Sequence, residues 1–134
     1  LDKEISLLSS FSKSLLASLC VGADGILSGH GSVIADLHVE MFEAIDRGDL
    51  EGARRVAARA YPVVQATYAE PFLDGHNRMK EMLAILGRID EAHVRSPLRR
   101  IPDAEREKLR RVVTEAGLPF ARREQPDGAV GRRS

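Results

Sequence analysis

Only two stretches of this chain can form buried β-strands, and a single short helix separates them. Residues 4–9 (EISLLS), with the strand proper over about 5–9, and residues 24–28 (DGILS) are short apolar runs. Periodicity alone cannot tell a short buried strand from a helix fragment, so their length and the flanking Gly22 and Gly29 decide for strand. Between them, residues 13–21 (KSLLASLCV) have helical composition, with Leu15, Leu16, Leu19 and Cys20 on one face. Strand, helix, strand in so short a span makes one βαβ unit with parallel strands. Parallel sheets occur almost only in larger assemblies covered on both faces, and two strands leave both outer edges unpaired. The unit therefore wants neighbours that these residues do not supply. The opening at Leu1 rather than a methionine agrees, and we expect the chain to be the end of something longer.

The rest of the chain reads as helix. Ser32 is the expected N-cap of a helix running to about 47, with Ile34, Leu37, Met41 and Ile45 at helical spacing. Gly48 stops it and Asp49 caps the next, over about 50–70, where Ala53, Ala57, Ala60 and Val64 form a stripe of small residues and Pro62 should introduce a kink. A helix over about 76–87 turns Met79, Met82, Leu83 and Leu86 inward. After a connector with two prolines, Pro102 and the acidic Asp103 and Glu105 open a last helix with the stripe Leu109, Val112, Val113 and Ala116, closed by Gly117. Beyond about residue 119 the periodicity is lost, and a disordered tail is expected over 119–134.

Composition narrows the function classes. With 134 residues the chain is too short for an eightfold β/α barrel, which takes about 250. Twenty Lys and Arg balance twenty Asp and Glu, which argues against a general nucleic-acid binder. One cysteine allows neither an internal disulfide framework nor a cysteine zinc cluster. No apolar run approaches the ~20 residues of a membrane span, and no signal-peptide pattern opens the chain, so a cytoplasmic protein without membrane contact is expected.

The run LLSSFSKSLLASLCVGADGILSGHGSVIADL (7–37) resembles the last two βα units of the dihydrodipicolinate synthase / N-acetylneuraminate lyase family. The likeness continues through FEAIDRGDLEGARRV (42–56), AEPF (69–72), RMKEMLAILG (78–87) and VRSPLRRIPDAEREKLRRVVTEAGL (94–118), which look like the helical extension that follows the barrel in that family. The order and spacing of these runs together carry the resemblance, which covers about 5–118. It implies an α/β fold: units seven and eight of a TIM (β/α)8 barrel over 1–47, then a helical extension over 48–118. It also implies a class I aldolase chemistry, in which a lysine near the end of the sixth strand forms a Schiff base with pyruvate or another 2-oxo acid. The lysines here are Lys3, Lys13, Lys80 and Lys108, and none stands in a matching motif. No catalytic residue is therefore expected in this chain, no metal, and no cofactor beyond the imine formed by a lysine outside it. Homo-oligomerisation, to a tetramer by family resemblance, or association with the missing barrel portion is implied.

By the same resemblance the chain contributes a wall of the substrate pocket. Ser9, Ser10 and Phe11 occupy the end of the seventh strand, and Leu27, Ser28 and His30 the end of the eighth. Ser10 stands where a glycine backbone faces the substrate, and Leu27 where an apolar residue presents its carbonyl near bound pyruvate. Ser10 for glycine, Phe11 for a frequent acidic residue and His30 for a small one all depart from the family pattern and would reshape the substrate end.

Each sharp reading has a plain alternative. The turn Gly29-His30-Gly31-Ser32 precedes a helix and could hold an anion, or be only a flexible turn. His30 could serve as a general acid or base, though a polar loop histidine is expected. His38 and Glu40, two apart on a helix, point to different faces and read as solvated surface rather than metal ligands. His76, Asn77, Arg78 and Lys80 read as an exposed, well-capped helix start, or as the cap of an active-site mouth or subunit contact. Cys20 is expected to be a buried, inert thiol, and the paired arginines 54–55, 99–100 and 110–111 a solvated face. Three functions stand at this point: the C-terminal part of a pyruvate-type lyase, a non-catalytic helical association module derived from that family, and a portion that pairs with a separately encoded half-barrel to rebuild the site in trans.

Overall fold

The computed structural model describes residues 5–121, in the order β1 (Leu8–Ser9), α1 (Leu15–Cys20), β2 (Gly25–Ile26), α2 (Gly31–Asp46), α3 (Leu50–Thr67), α4 (Gly75–Ile85) and α5 (Asp103–Glu115). Short 3-10 turns over Ser12–Ser14 and Phe72–Asp74 precede α1 and α4. The two strands pair in parallel, with Leu8 opposite Gly25 and Ser9 opposite Ile26. Bonds beyond the paired residues extend the contact: the Asp24 amide donates to the Leu7 carbonyl at 2.8 Å, the Leu7 amide to Asp24 Oδ2 at 2.7 Å, and the Leu27 amide to the Ser9 carbonyl at 2.9 Å. The strands are shorter than the runs over 5–9 and 24–28 because each has a partner on one edge only. Leu7, Leu8, Phe11 and Leu27 stay exposed around them.

Burial comes from the helices. α2 lies along α3, and α4 and α5 pack across that pair. Gly52, Ala53, Val56, Ala60, Val63 and Val64 are the buried face of α3, whose small side chains let α2 approach. Ala57, expected in this stripe, is only half-buried. The stripe joins Leu37, Met41 and Ala44 of α2, Leu15 and Leu19 of α1, Met82 of α4 and Leu109 and Val113 of α5 in one hydrophobic cluster.

Boundaries follow capping chemistry. Asp49 Oδ1 accepts from the Gly52 amide at 2.8 Å, the expected cap of α3. Gly48, Gly87 and Gly117 take φ of +74°, +72° and +67° just after α2, α4 and α5, a conformation that costs a side chain dearly and glycine nothing. Two expectations need correction. Ser32 does not cap α2: it lies inside the first turn, its hydroxyl donates back to the Gly29 carbonyl at 3.0 Å, and His30 holds the cap position. Pro62 does not interrupt α3, because it sits on the exposed side, where water can take the carbonyl that its missing N–H leaves free. The break in helical geometry falls instead at Ile34 of α2 (φ −123°, ψ 35°), where Arg88 Nη1 donates to the carbonyls of Val33 at 2.9 Å and Ser32 at 3.3 Å.

The tail expected to be disordered over 119–134 lies outside the described residues from 122 onward. Before that point the chain is held: Leu118 is buried, and the Ala121 amide donates to the Leu86 carbonyl at 2.8 Å.

Candidate functional site at the strand ends

Parallel pairing places the C-terminal ends of β1 and β2 side by side, so the residues after them gather at one end of the molecule. Ser9 and Ser28 are half-buried there, Ser10 is exposed, and Phe11 and Leu27 keep 61% and 69% of their surface open. Ser12, absent from the sequence-derived set, joins the two ends: its Oγ lies 2.8 Å from Ser28 Oγ. The run SSFS offered a hydroxyl-rich signal for it.

His30 is not the polar loop histidine expected. Its side chain is fully buried beneath the turn, with Nε2 2.8 Å from Thr67 Oγ1 on α3 and Nδ1 3.3 Å from Ser12 Oγ. The ring stands edge-on to Tyr68 at 5.0 Å, and Tyr68 stacks on Phe72 at 5.4 Å. Burial, with a smaller contribution from His38, lowers the His30 pKa to about 4, so the ring is neutral near pH 7. Thr67 is a partner that local sequence cannot reveal, since 37 residues and a whole helix separate it from His30. The turn also gives up its anion reading. The His30 amide donates to Ser28 Oγ, and the amides of Gly31, Ser32 and Val33 donate to the carbonyls of Ser28, Gly29 and His30, so all four are engaged.

Three further expectations change. His38 is buried rather than solvated, and burial lowers its pKa, while Glu40 faces outward to Arg59 at 3.2 Å. Cys20 is exposed rather than buried, because α1 covers only its Leu15 and Leu19 face. The polar start of α4 is mostly internal. Asn77 and Arg78 are each 1% exposed, and only His76 and Lys80 face outward. Arg78 donates through Nη1 to the carbonyls of Thr67 (3.2 Å), Ala69 (2.5 Å) and Pro71 (3.1 Å), through Nη2 to Glu70 (3.3 Å) and through Nε to Glu105 Oε1 (2.6 Å). Nearby, the buried Glu81 takes Arg106 Nε at 3.0 Å. The arginine pairs 54–55 and 110–111 are exposed as expected, with Arg54, Arg55 and Arg110 beside acids on their own helices.

No helix among the described residues is long and apolar enough to cross a membrane. A parallel strand pair with its C-terminal ends open, packed beside four longer helices, α2 to α5, defines an α/β class of protein. The chain belongs to the dihydrodipicolinate synthetase family, whose profile it matches over residues 1–116. It is 37% identical over 108 residues to an uncharacterised DapA-like lyase of Halobacterium salinarum (strain ATCC 29341 / DSM 671 / R1), a match covering 80% of this chain and 34% of the relative. It is 32% identical over 117 residues to the 4-hydroxy-tetrahydrodipicolinate synthase of Syntrophus aciditrophicus (strain SB), covering 87% of this chain and 39% of that one. Among solved structures it superposes on a monomeric dihydrodipicolinate synthase variant with a TM-score of 0.77 and 29% identity, covering 85% of this chain and 37% of that protein. The chain thus spans between a third and two fifths of the length of these relatives.

Proposed function

We propose that this chain is the C-terminal part of a Schiff-base lyase acting on pyruvate or another 2-oxo acid. In this reading β1 and β2 are the seventh and eighth strands of a (β/α)8 barrel, residues 1–47 its last two units, and residues 48–118 the helical extension. The observation that carries the reading is the open strand pair, with Leu7, Leu8, Phe11 and Leu27 exposed around it, in a chain spanning only about a third of its family relatives. Neighbouring strands of the same barrel would pair the free edges and cover these side chains.

Ser9, Ser10, Phe11, Leu27, Ser28 and the turn at His30 then form a wall of the pocket, since such barrels carry their sites at the C-terminal ends of the strands. The nucleophile lies outside this chain. A Schiff-base lysine works when desolvation holds its amine unprotonated, and Lys13, Lys80 and Lys108 are exposed. Lys80 also donates to the His93 carbonyl at 2.8 Å; Lys3 lies outside the described residues. The amine would add to the 2-oxo carbon and expel water. The resulting iminium would draw electrons from the adjacent carbon, so that carbon can lose a proton and attack an aldehyde, or be released in the reverse cleavage. The lysine is itself the electron sink, so the reading asks for no further cofactor. The barrel portion is the first partner implied, and a homo-oligomer, tetrameric by family resemblance, the second.

Borohydride reduction in the presence of pyruvate tests this reading. A polypeptide carrying the whole family length should gain the mass of one reduced pyruvate adduct on a single lysine, and the 134-residue chain alone should gain none. Adduct on Lys13, Lys80 or Lys108 would overturn the placement of the nucleophile, and an unlabelled longer form would leave the helical association module as the better reading.

A further inference from the structure

The contacts around His30 determine which way each hydroxyl points. Thr67 Oγ1 lies 3.0 Å from the Val63 carbonyl, which can only accept, so the Thr67 proton belongs there. Thr67 must then accept from His30 at 2.8 Å, which puts the imidazole proton on Nε2. With Nε2 protonated and the ring neutral, Nδ1 is an acceptor, and its neighbour Ser12 donates to it. Ser12 has spent its one proton, so at 2.8 Å it accepts from Ser28. Ser28 Oγ in turn accepts the His30 amide at 3.2 Å. The opposite direction would set two acceptors against each other at Thr67 and Val63, whereas this one satisfies every contact of the hydrogen-bond chain and leaves out only Met82 Sδ, a weak acceptor 3.7 Å from Thr67 Oγ1.

We propose that His30 is a positioning residue that, as the Nε2–H tautomer, ties Ser12 and Ser28 at the two strand ends to Thr67 of α3 and leaves Ser28 only an acceptor lone pair to offer the pocket. This rests on the lyase reading for its consequence. At Ser28 the wall then accepts but does not donate, which favours a substrate bearing a hydroxyl or other donor opposite that side chain, as a polyhydroxylated aldehyde does, over one bearing a carboxylate there. Without His30 the strand ends lose their only side-chain hydrogen-bond link to α3 among the described residues.

The test begins with unsubstituted protein, so it does not depend on any variant folding. Nitrogen-15 spectra of the four histidines, with His30 assigned, should show Nε2 protonated and Nδ1 bare, and Thr67→Val and Ser12→Ala should each move the His30 signals. In the full-length enzyme, His30→Gln keeps an N–H donor for Thr67, while its one acceptor, Oε1, does not stand where Nδ1 meets Ser12. It should trap pyruvate at the unsubstituted rate, raise KM for a hydroxylated aldehyde about tenfold, the loss of about one hydrogen bond, and leave kcat within about twofold. An Nδ1–H tautomer, or an unchanged KM with trapping intact, would overturn the proposal. Absence of trapping in the unsubstituted enzyme would sink the lyase reading instead, with the tautomer and its response to Thr67→Val and Ser12→Ala still deciding the tie.

Discussion

Arg78 shows how far a single side chain can depart from its local sequence. In HNRMK it has the look of an exposed helix start, yet its guanidinium is buried and its donors go to four consecutive-segment carbonyls, those of Thr67, Ala69, Glu70 and Pro71, and to Glu105. A planar fork of donors fits that set, and a lysine ammonium, with three donors and a point charge, does not. The Thr67 carbonyl belongs to the last turn of α3, so the charge also sits at the negative end of that helix. Removing one partner of a buried pair leaves uncompensated polar groups, at a cost of roughly 3–5 kcal/mol. Arg78→Met should therefore lower the unfolding free energy by about that much, and Arg78→Lys should recover only part of it. Urea titrations read both, and a loss under about 1 kcal/mol for Arg78→Met would show that the buried clamp contributes little. Nothing in residues 76–80 reveals this, because the acceptors come from the last residue of α3, the segment that follows it and the start of α5.

At the scale of elements, α2 was largely legible: its extent, its stop at Gly48 and its inward positions Ile34, Leu37 and Met41 follow from period and capping chemistry. What period alone misjudged was the width of the buried face. Packing buries His38 as well as the cap-position His30, and both imidazoles lose affinity for a proton as a result. The sign is fixed by linkage. A histidine whose folded pKa lies below its unfolded value binds its proton more readily when unfolded, so its cost is absent above pH ~6.5 and grows as pH falls toward the folded value. For His30, at about 4 when folded, the slope is about 1.4 kcal/mol per pH unit in that window, and His38 adds in the same direction. The urea midpoint should therefore fall between pH 6.5 and pH 5 by the equivalent of about 2 kcal/mol or more, and His30→Gln should flatten the dependence. A level profile in the unsubstituted protein would contradict the burial of both rings. The α4–α5 contact was less legible than α2. Arg78 to Glu105 and Glu81 to Arg106 cross the interface with opposite polarity, a register device that a stripe of apolar residues cannot show.

At the scale of the whole molecule, the helices close a core among themselves and the strands do not. β1 and β2 share one ladder of a few bonds, with exposed apolar side chains on either side. Local opening free energies in proteins run from near zero to the global value, and a two-residue strand pair without covered edges belongs at the low end. In hydrogen exchange on the 134-residue chain, the amides of Asp24 and Leu27 should open at about 1 kcal/mol or less, while those buried in α2–α4 approach global protection. Self-association through the strand edges should raise that protection with concentration. Strand amides as slowly exchanging as the helical core, in a concentration-independent monomer, would count against an incomplete barrel.

The sequence by itself determined the helices, most of their caps and stops, the parallel strand pair and, through several weak runs in a fixed order, the family. The elements follow from local chemistry: apolar period, glycine at positive φ, an aspartate before a helix, two short apolar runs flanking one helix; the family rests on the resemblance of the runs. The tertiary structure alone decided which polar groups are internal. His30, His38, Asn77, Arg78 and Glu81 are buried because their partners, or the faces that cover them, belong to elements distant along the chain. Whether a polar side chain is solvated or satisfied inside is a property of the packed assembly and is not encoded in the residues beside it.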